Sequence, residues 1–237
     1  MPAGKAEHSA RASAESHGQA DPTDHGPGRP DGGGRVRVAA VLRISAPIET
    51  DRLTLRPFAA GDLDDLYAYL SSADVVQYMY WQARDREQTG EALQTRIGQD
   101  RLDDEHDYLA LAVVQRETGR VAGEVILKWV SREHRQGEVG FAFNPDHHGR
   151  GYAAEAATAM LGLAFGVLGL HRVVGRCDPR NLASARVLER LGMRLEAHFV
   201  HNEIFKGEWG DELYYALLED EWASRRDRPD GLGGWRR

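Results

Sequence analysis

The chain of 237 residues holds one cysteine, Cys177. No intrachain disulfide can form, which fits a reducing compartment, and a cytoplasmic location is the expectation. Long apolar runs are also missing. No stretch of 18 apolar residues occurs, so no transmembrane helix is expected. The beginning of the chain has no apolar segment of the kind a signal peptide needs. There is no basic excess either: 30 Lys and Arg stand against 37 Asp and Glu, a net charge of −7. A general nucleic-acid binder would show a basic face, so the balance argues against one. Neither nucleic acid nor membrane is expected as a partner.

Aromatic residues are absent from the first forty positions. Residues 1–44 are rich in Gly, Pro, Ala, Ser and His, and cannot bury enough apolar surface to offset the entropy of ordering. A disordered tail is expected there. Three of the ten histidines fall in it, His8, His17 and His25, at a spacing that matches no metal site. No metal is expected. The end, "DRPDGLGGWRR", reads as a second loose tail over 226–237. One folded domain is expected over 45–225. Residues 1–44 carry six Lys/Arg against five Asp/Glu, so the remainder is the acidic part, at −8.

Within that domain the hydrophobic pattern changes period several times. "IETDRLTLRPF" alternates like a strand, with Leu53 and Leu55 on one face. Leu63, Leu66, Tyr67 and Leu70 fall on one helix face, and Asp62, Asp64 and Asp65 occupy its first turn, where the helix dipole favours negative charge. "DREQTGEALQTRIGQDRL" reads as a polar helix. "YLALAVVQ" and "VAGEVILKWV" read as strands joined by a hairpin turn at "ETGR". "GEVGFAF" is another strand, a helix is expected from 153 to about 168, and "HRVVGRCD" is a strand. "NLASARVLERLG" is a helix with Gly192 placed to end it, and "DELYYALL" is a closing strand. The order β-α-α-β-β-β-α-β-α-β predicts a mixed α/β fold with a mostly antiparallel first half.

Between the third of these middle strands and its helix lies "NPDHHGRGYAAEA", residues 144–156. Gly149 and Gly151 would let backbone approach a ligand closely. The N–H groups of Gly149 to Ala154, at an opening helix turn, have no partners within the helix. Such donors, with the helix dipole, can hold a diphosphate without lysines. A dinucleotide fingerprint also fits, since Gly149-x-Gly151-x-x-Ala154 satisfies G-x-G-x-x-G/A and Asp178 lies at about the distance of a ribose-binding acid. Against it, "NPDHH" separates Phe143 from the first glycine and hairpins precede the loop. No G-x-x-x-x-G-K-[ST] occurs, which excludes a P-loop.

"IETDRLTLRPF", "GEVGFAFNPDHHGRGYAAEA", "NLASARVLERLGM" and "DELYYALLEDEW", in that order, resemble the GNAT superfamily of acetyl-CoA-dependent N-acetyltransferases. More narrowly, they resemble the branch with the ribosomal-protein alanine and serine N-acetyltransferases, over about 48–223. The resemblance implies a GNAT fold: a mixed central sheet, antiparallel in its first half, with a splayed parallel pair at the CoA site, flanked by helices. It implies acetyl-CoA as co-substrate, an amine acceptor, and no covalent enzyme intermediate. The CoA pattern [QR]-x-x-G-x-[GA] maps onto His148, Gly149, Arg150, Gly151, Tyr152 and Ala153, with His148 where Gln or Arg is usual. The thioester would lie along Phe141, Ala142 and Phe143, and Asn181 and Ser184 beside the pantetheine arm.

Acetyl transfer to an amine needs a group to take the ammonium proton, a donor for the thioester oxygen, and a proton for the leaving thiolate. Glu138 is the expected base, with Glu203 and His201 as rivals. Ser184 is the expected acid, with Tyr214 and Tyr215 as alternatives; strand alternation lets only one of the two tyrosines face the site. Asn181 also suits a plain helix N-cap. Trp81, Trp129 and Trp209 read as packing unless they line an acceptor pocket, and Cys177 as a small buried hydrophobe. The acidic field favours a cationic acceptor: a protein or peptide N-terminus first, or a small-molecule amine such as a polyamine or aminoglycoside. A non-catalytic acyl-CoA-binding module stays open, as does monomer or homodimer.

Overall fold

The computed structural model describes residues 41–226. The tail expected at 1–44 lies outside the described residues up to residue 40, and the one at 226–237 does so beyond residue 226. Residues 42–43, expected in the tail, form a short strand instead. β1 (Leu42–Arg43) pairs with β4 (Arg101–Leu102) beside the main sheet, and Leu42 and Leu102 are both buried.

The main sheet has eight strands in the order β2-β3-β5-β6-β7-β8-β10-β9. β2 (Ile48–Glu49) and β3 (Leu53–Pro57) divide the expected first strand into a small hairpin. β5 (Tyr108–Gln115), β6 (Val121–Ser131) and β7 (Gln136–Phe143) form an antiparallel meander. β5 is buried along almost its whole length. Helices cover both faces of the sheet there, so the strand reads as a continuous apolar run rather than an alternating one.

α1 (Leu63–Leu70), α2 (Ala73–Val76) and α3 (Arg86–Ile97) precede the meander. α3 ends at Ile97, short of the expected "QDRL", which turns into β4. Its start is fixed by a capping box: Asp85 accepts from the N–H of Gln88, and the Gln88 side chain accepts from the N–H of Asp85. On this face Phe58, Leu66, Tyr69 and Leu93 pack against Ala110 and Ala112. Tyr69 rather than Tyr67 is the fully buried tyrosine of α1.

α4 (Tyr152–Gly166) crosses the other face, followed by β8 (Arg172–Cys177), α5 (Leu182–Arg190), β9 (Arg194–Phe205), β10 (Glu208–Leu218) and α6 (Glu219–Arg226). α4 buries nine residues, mostly alanine and leucine, against this face. Besides β1 and β4, the elements not expected are α2, β9 and α6. β9 is the outer strand beyond β10, and nine of its twelve positions are exposed. Leu195, Ala197 and Phe199 alternate with Arg194, Glu196 and His198, but the apolar face they make is largely exposed.

β7 and β8 are the parallel pair, and they position the site. They pair at Gln136–Arg172, Gly137–Val173 and Glu138–Val174, and nowhere beyond. Past Glu138 the two strands separate, leaving the β8-facing edge of β7 without a strand partner. Among the described residues no helix is long and apolar enough to cross a membrane.

Candidate active site

The cleft opens where β7 and β8 part. Phe143 leads into Asn144, whose side chain accepts from the N–H of Asp146 at 3.1 Å and shapes a short 3-10 turn over Pro145–His147. Gly149 and Gly151 follow with φ of 74° and 80°, left-handed values that a side-chain-bearing residue adopts only under strain. α4 then begins at Tyr152, so its first amides face the cleft. The loop is braced from behind. Glu155 accepts from Thr50 Oγ1 at 2.6 Å, from the Arg52 N–H at 2.9 Å and from Arg52 Nε at 2.7 Å, while Arg52 Nη1 donates to the Arg150 carbonyl at 2.8 Å. Burial works against the Glu155 charge, but these hydrogen bonds outweigh it and hold the carboxyl below its ordinary range.

The cleft measures about 600 Å³, the size of a cofactor site. Phe141, Ala142, Phe143, His148, Gly149, Gly151, Tyr152, Ala153, Asn181 and Ser184 all line it, as expected. Arg150 is the exception. It is exposed and outside the lining, and its main chain is held by Arg52. The His148 ring turns back on its own loop, with Nε2 3.1 Å from the Phe143 carbonyl. Asn181 caps α5, its side chain accepting from the Ser184 N–H at 3.1 Å. Ser184 Oγ has no protein hydrogen-bond partner among the described residues and stays available to a ligand. Arg186 and Arg190 add positive charge to the same wall. Left-handed glycines, free helix amides, apolar strand walls and two arginines together fit a long ligand with a diphosphate, which is what acetyl-CoA is.

A second pocket, of about 110 Å³, adjoins the first, and Tyr78 lines both. Glu138, Glu203 and Glu212 enter it from β7, β9 and β10, and Arg176 enters from β8. Arg176 Nε donates to Glu138 at 3.0 Å, and Nη1 donates to Glu212 at 3.1 Å. Asn202 Nδ2 donates to the other Glu212 oxygen at 3.0 Å. The Tyr80 hydroxyl donates to Glu203. Burial pushes the Glu212 carboxyl above its ordinary value, Arg176 pulls it down, and Glu203 and Glu138 push it further up.

Other expectations resolve differently. Tyr215 is corrected: its ring is 3% exposed in the core beneath α5, its hydroxyl points at Glu189, and it lines neither cavity. Tyr214 points to the opposite face, packed edge-on against Phe199. His201 lies outside both cavities, its N–H bonded to Asp211. Trp129 is fully buried, Trp81 packs in the second core cluster and Trp209 is exposed, and none of them lines either of these two cavities. Cys177 is half-buried at the pocket wall, and burial pushes its thiol up to about 11, away from nucleophilic use.

Arg52, Tyr78, Tyr80, Arg176 and Glu212 escaped the sequence. Only Glu212 carried a usable signal: it stands two residues before Tyr214 on one strand, hence on the same face.

The model of the acetyltransferase (GNAT) domain family matches residues 52–194. The N-acetyltransferase YnaD of Bacillus subtilis is 34% identical over 74% of this chain and 98% of its own length. The spermidine N(1)-acetyltransferase of Escherichia coli is 24% identical over 74% of this chain and 90% of its own. Among solved structures, a GNAT-family acetyltransferase from Bacillus anthracis superposes with a TM-score of 0.67 at 32% identity, covering 74% of this chain and 100% of that one. With a parallel pair that splays beside a glycine-built loop, and with these relatives, the chain belongs to the GNAT family of acetyl-CoA-dependent N-acetyltransferases.

Proposed function

We propose that the enzyme transfers the acetyl group of acetyl-CoA directly to the primary amine of a cationic acceptor, with a polypeptide N-terminus as the first candidate. The observation that carries this reading is the carboxylate pocket beside the cleft. Glu138, Glu203 and Glu212 face a single arginine there, and uncompensated negative charge recruits an ammonium group. Acetyl-CoA would lie with its diphosphate on the amides of Gly149 to Ala154 and its thioester along Phe141 to Phe143. The unpartnered edge of β7 supplies a backbone N–H for the thioester oxygen. Ser184 Oγ is our assignment for the proton donor to the departing thiolate.

The rim supports a polypeptide. Tyr80 lines the pocket and is 61% exposed, aromatic surface that residues following an N-terminal amine would cover. The carboxylate excess supports a second reading, a polyamine, in line with the spermidine-acetylating relative. Acetyl-CoA turnover against peptides beginning with Ala or Ser, spermidine and an aminoglycoside separates the two. Preferred turnover of peptides sustains the first reading, and preference for spermidine replaces it with the second. Tight acetyl-CoA binding without turnover of any amine would make the protein an acyl-CoA-binding module.

A further inference from the structure

The second pocket has an odd charge count. Three glutamates enter it from three strands, and one guanidinium, Arg176, answers two of them. The other two acids on its wall are spent elsewhere: Asp178 on Arg180, and Asp211 on His198 and the His201 N–H. Glu203 receives only the neutral Tyr80 hydroxyl. Two negative charges remain without a cation. Burying like charges together is costly unless a counter-charge arrives.

The three glutamates are not equivalent. The Glu212 side chain is 9% exposed against 24% for Glu138. Each Glu212 oxygen receives one donor, Arg176 on Oε1 and Asn202 on Oε2. A carboxylate has about four acceptor positions, so two donors fix its orientation and leave room for an ammonium. Arg176 also ties Glu138 across the pocket, which makes Glu138 an arm of the clamp. Burial, together with Glu203 and Glu138, raises the affinity of Glu212 for a proton, whereas Arg176 opposes this. Tyr214 lies on the same strand face, and burial keeps its phenol protonated.

We infer that Glu212 is the carboxylate that receives the acceptor ammonium and takes its proton, held for that task by Arg176 and Asn202. This rests on the transferase reading above. The proton passes from R–NH3+ to the Glu212 carboxylate, leaving R–NH2. The nitrogen lone pair forms the new N–C bond at the thioester carbonyl, and the C–S bond breaks with its electron pair on sulfur. The second nitrogen proton balances the thiolate, giving the amide and CoA–SH, and Glu212 returns its proton to solvent. The pocket thus selects primary amines that are cations in water, and disfavours neutral or anionic acceptors.

The test is the pH profile of kcat/KM for spermidine and for an alanine-initiated peptide, in wild type, Glu212→Gln, Glu212→Asp and Glu138→Gln. Glu212→Gln is expected to lose about 100-fold in kcat/KM for the amine, in the usual range for a positioned base, and to lose the acid-side limb. Its Kd for acetyl-CoA stays within about twofold of wild type. Glu212→Asp recovers part of the rate and the limb, and Glu138→Gln is slower but keeps the limb. A Glu212→Gln enzyme that retains the limb, or a limb that vanishes in Glu138→Gln instead, overturns the assignment. A carboxyl-carbon NMR titration of the wild-type protein, with Glu212 identified by its loss in Glu212→Gln, separates this claim from the transferase reading. A signal titrating above the ordinary glutamate range and displaced by added spermidine supports Glu212 as the amine-binding acid. A signal in the ordinary range that spermidine leaves unmoved overturns it, whether or not turnover is seen.

Discussion

The two cavities that meet at Tyr78 are built from different materials. The large cleft is made mainly of backbone: two left-handed glycines, the first amides of α4 and the loose edge of β7. Most of its residues lie in one stretch, 141–154, with α5 as the far wall. The small pocket is made of side chains, drawn from residue 78 to residue 212 across four strands and a loop. A backbone site binds a ligand part common to many enzymes. A side-chain site can be retuned by single substitutions, which suits the half of the reaction that varies between relatives. Their glutamates differ in the same sense. Glu155 is held charged by donors around the cradle, and Glu212 is held towards its protonated form by burial.

Breaking the backbone of the cleft should have the largest effect on co-substrate binding. The double variant Gly149→Ala, Gly151→Ala places two side chains in the left-handed region, at about 1–2 kcal/mol each. Calorimetry should show acetyl-CoA binding about 30- to 1000-fold weaker, a range equivalent to that strain. Spermidine binding should be little changed. If both ligands weaken equally, the two cavities are not separate in the way described.

Ser184→Ala tests the junction. Its kcat should fall about 100-fold while the Kd for acetyl-CoA holds, because Asn181 caps the Ser184 backbone rather than its hydroxyl. Stopped-flow release of CoA measures it, and an unchanged kcat removes Ser184 from the chemistry. Glu203→Gln should raise the acceptor KM about tenfold and leave that of acetyl-CoA alone, the mirror image of the glycine variant.

The two glutamates should also give opposite slopes of stability against pH. The folded-state pKa of Glu155 lies below the ordinary 4.5. Its contribution is therefore complete above that value and is lost as the pH falls through the lowered one. That of Glu212 lies above 4.5, so its contribution is complete below that value and is lost as the pH rises through the raised one. Urea titrations of wild type, Glu155→Gln and Glu212→Gln on both sides of 4.5 should show the acid-side loss weakened in the first variant and the loss at rising pH weakened in the second. Tyr80→Phe should show the smallest change, about two- to fivefold in acceptor KM. The hydroxyl it removes holds Glu203 at an exposed rim, where such bonds are worth little.

The cleft was legible because its signals are local. Glycines that need positive φ, a helix that begins at once, and Asn181 three residues before Ser184 are all patterns within one stretch of chain. The brace behind it was not, since Thr50 and Arg52 reach Glu155 across about a hundred residues. Tyr215 went to the core for a reason the pattern only half revealed. Alternation separates it from Tyr214, but which of the two packs beneath α5 is decided by the tertiary fold, and neither lines either of the two cavities. β9 was only half legible: Leu195, Ala197 and Phe199 alternate with polar residues, but the pattern breaks at Val200, before the stretch that carries Asn202 and Glu203.

By itself the sequence determined the class of fold, the glycine loop at the start of α4 and the family, because each depends on short-range backbone geometry and on the order of a few motifs. The tertiary structure alone decided which carboxylates share a pocket. Glu138 and Glu212 lie 74 positions apart in the chain, and they meet only because β8 inserts between their strands and presents Arg176 to both. A pairing of charges across a sheet leaves no trace along the chain, whereas burial and strand order raise the proton affinity of Glu212.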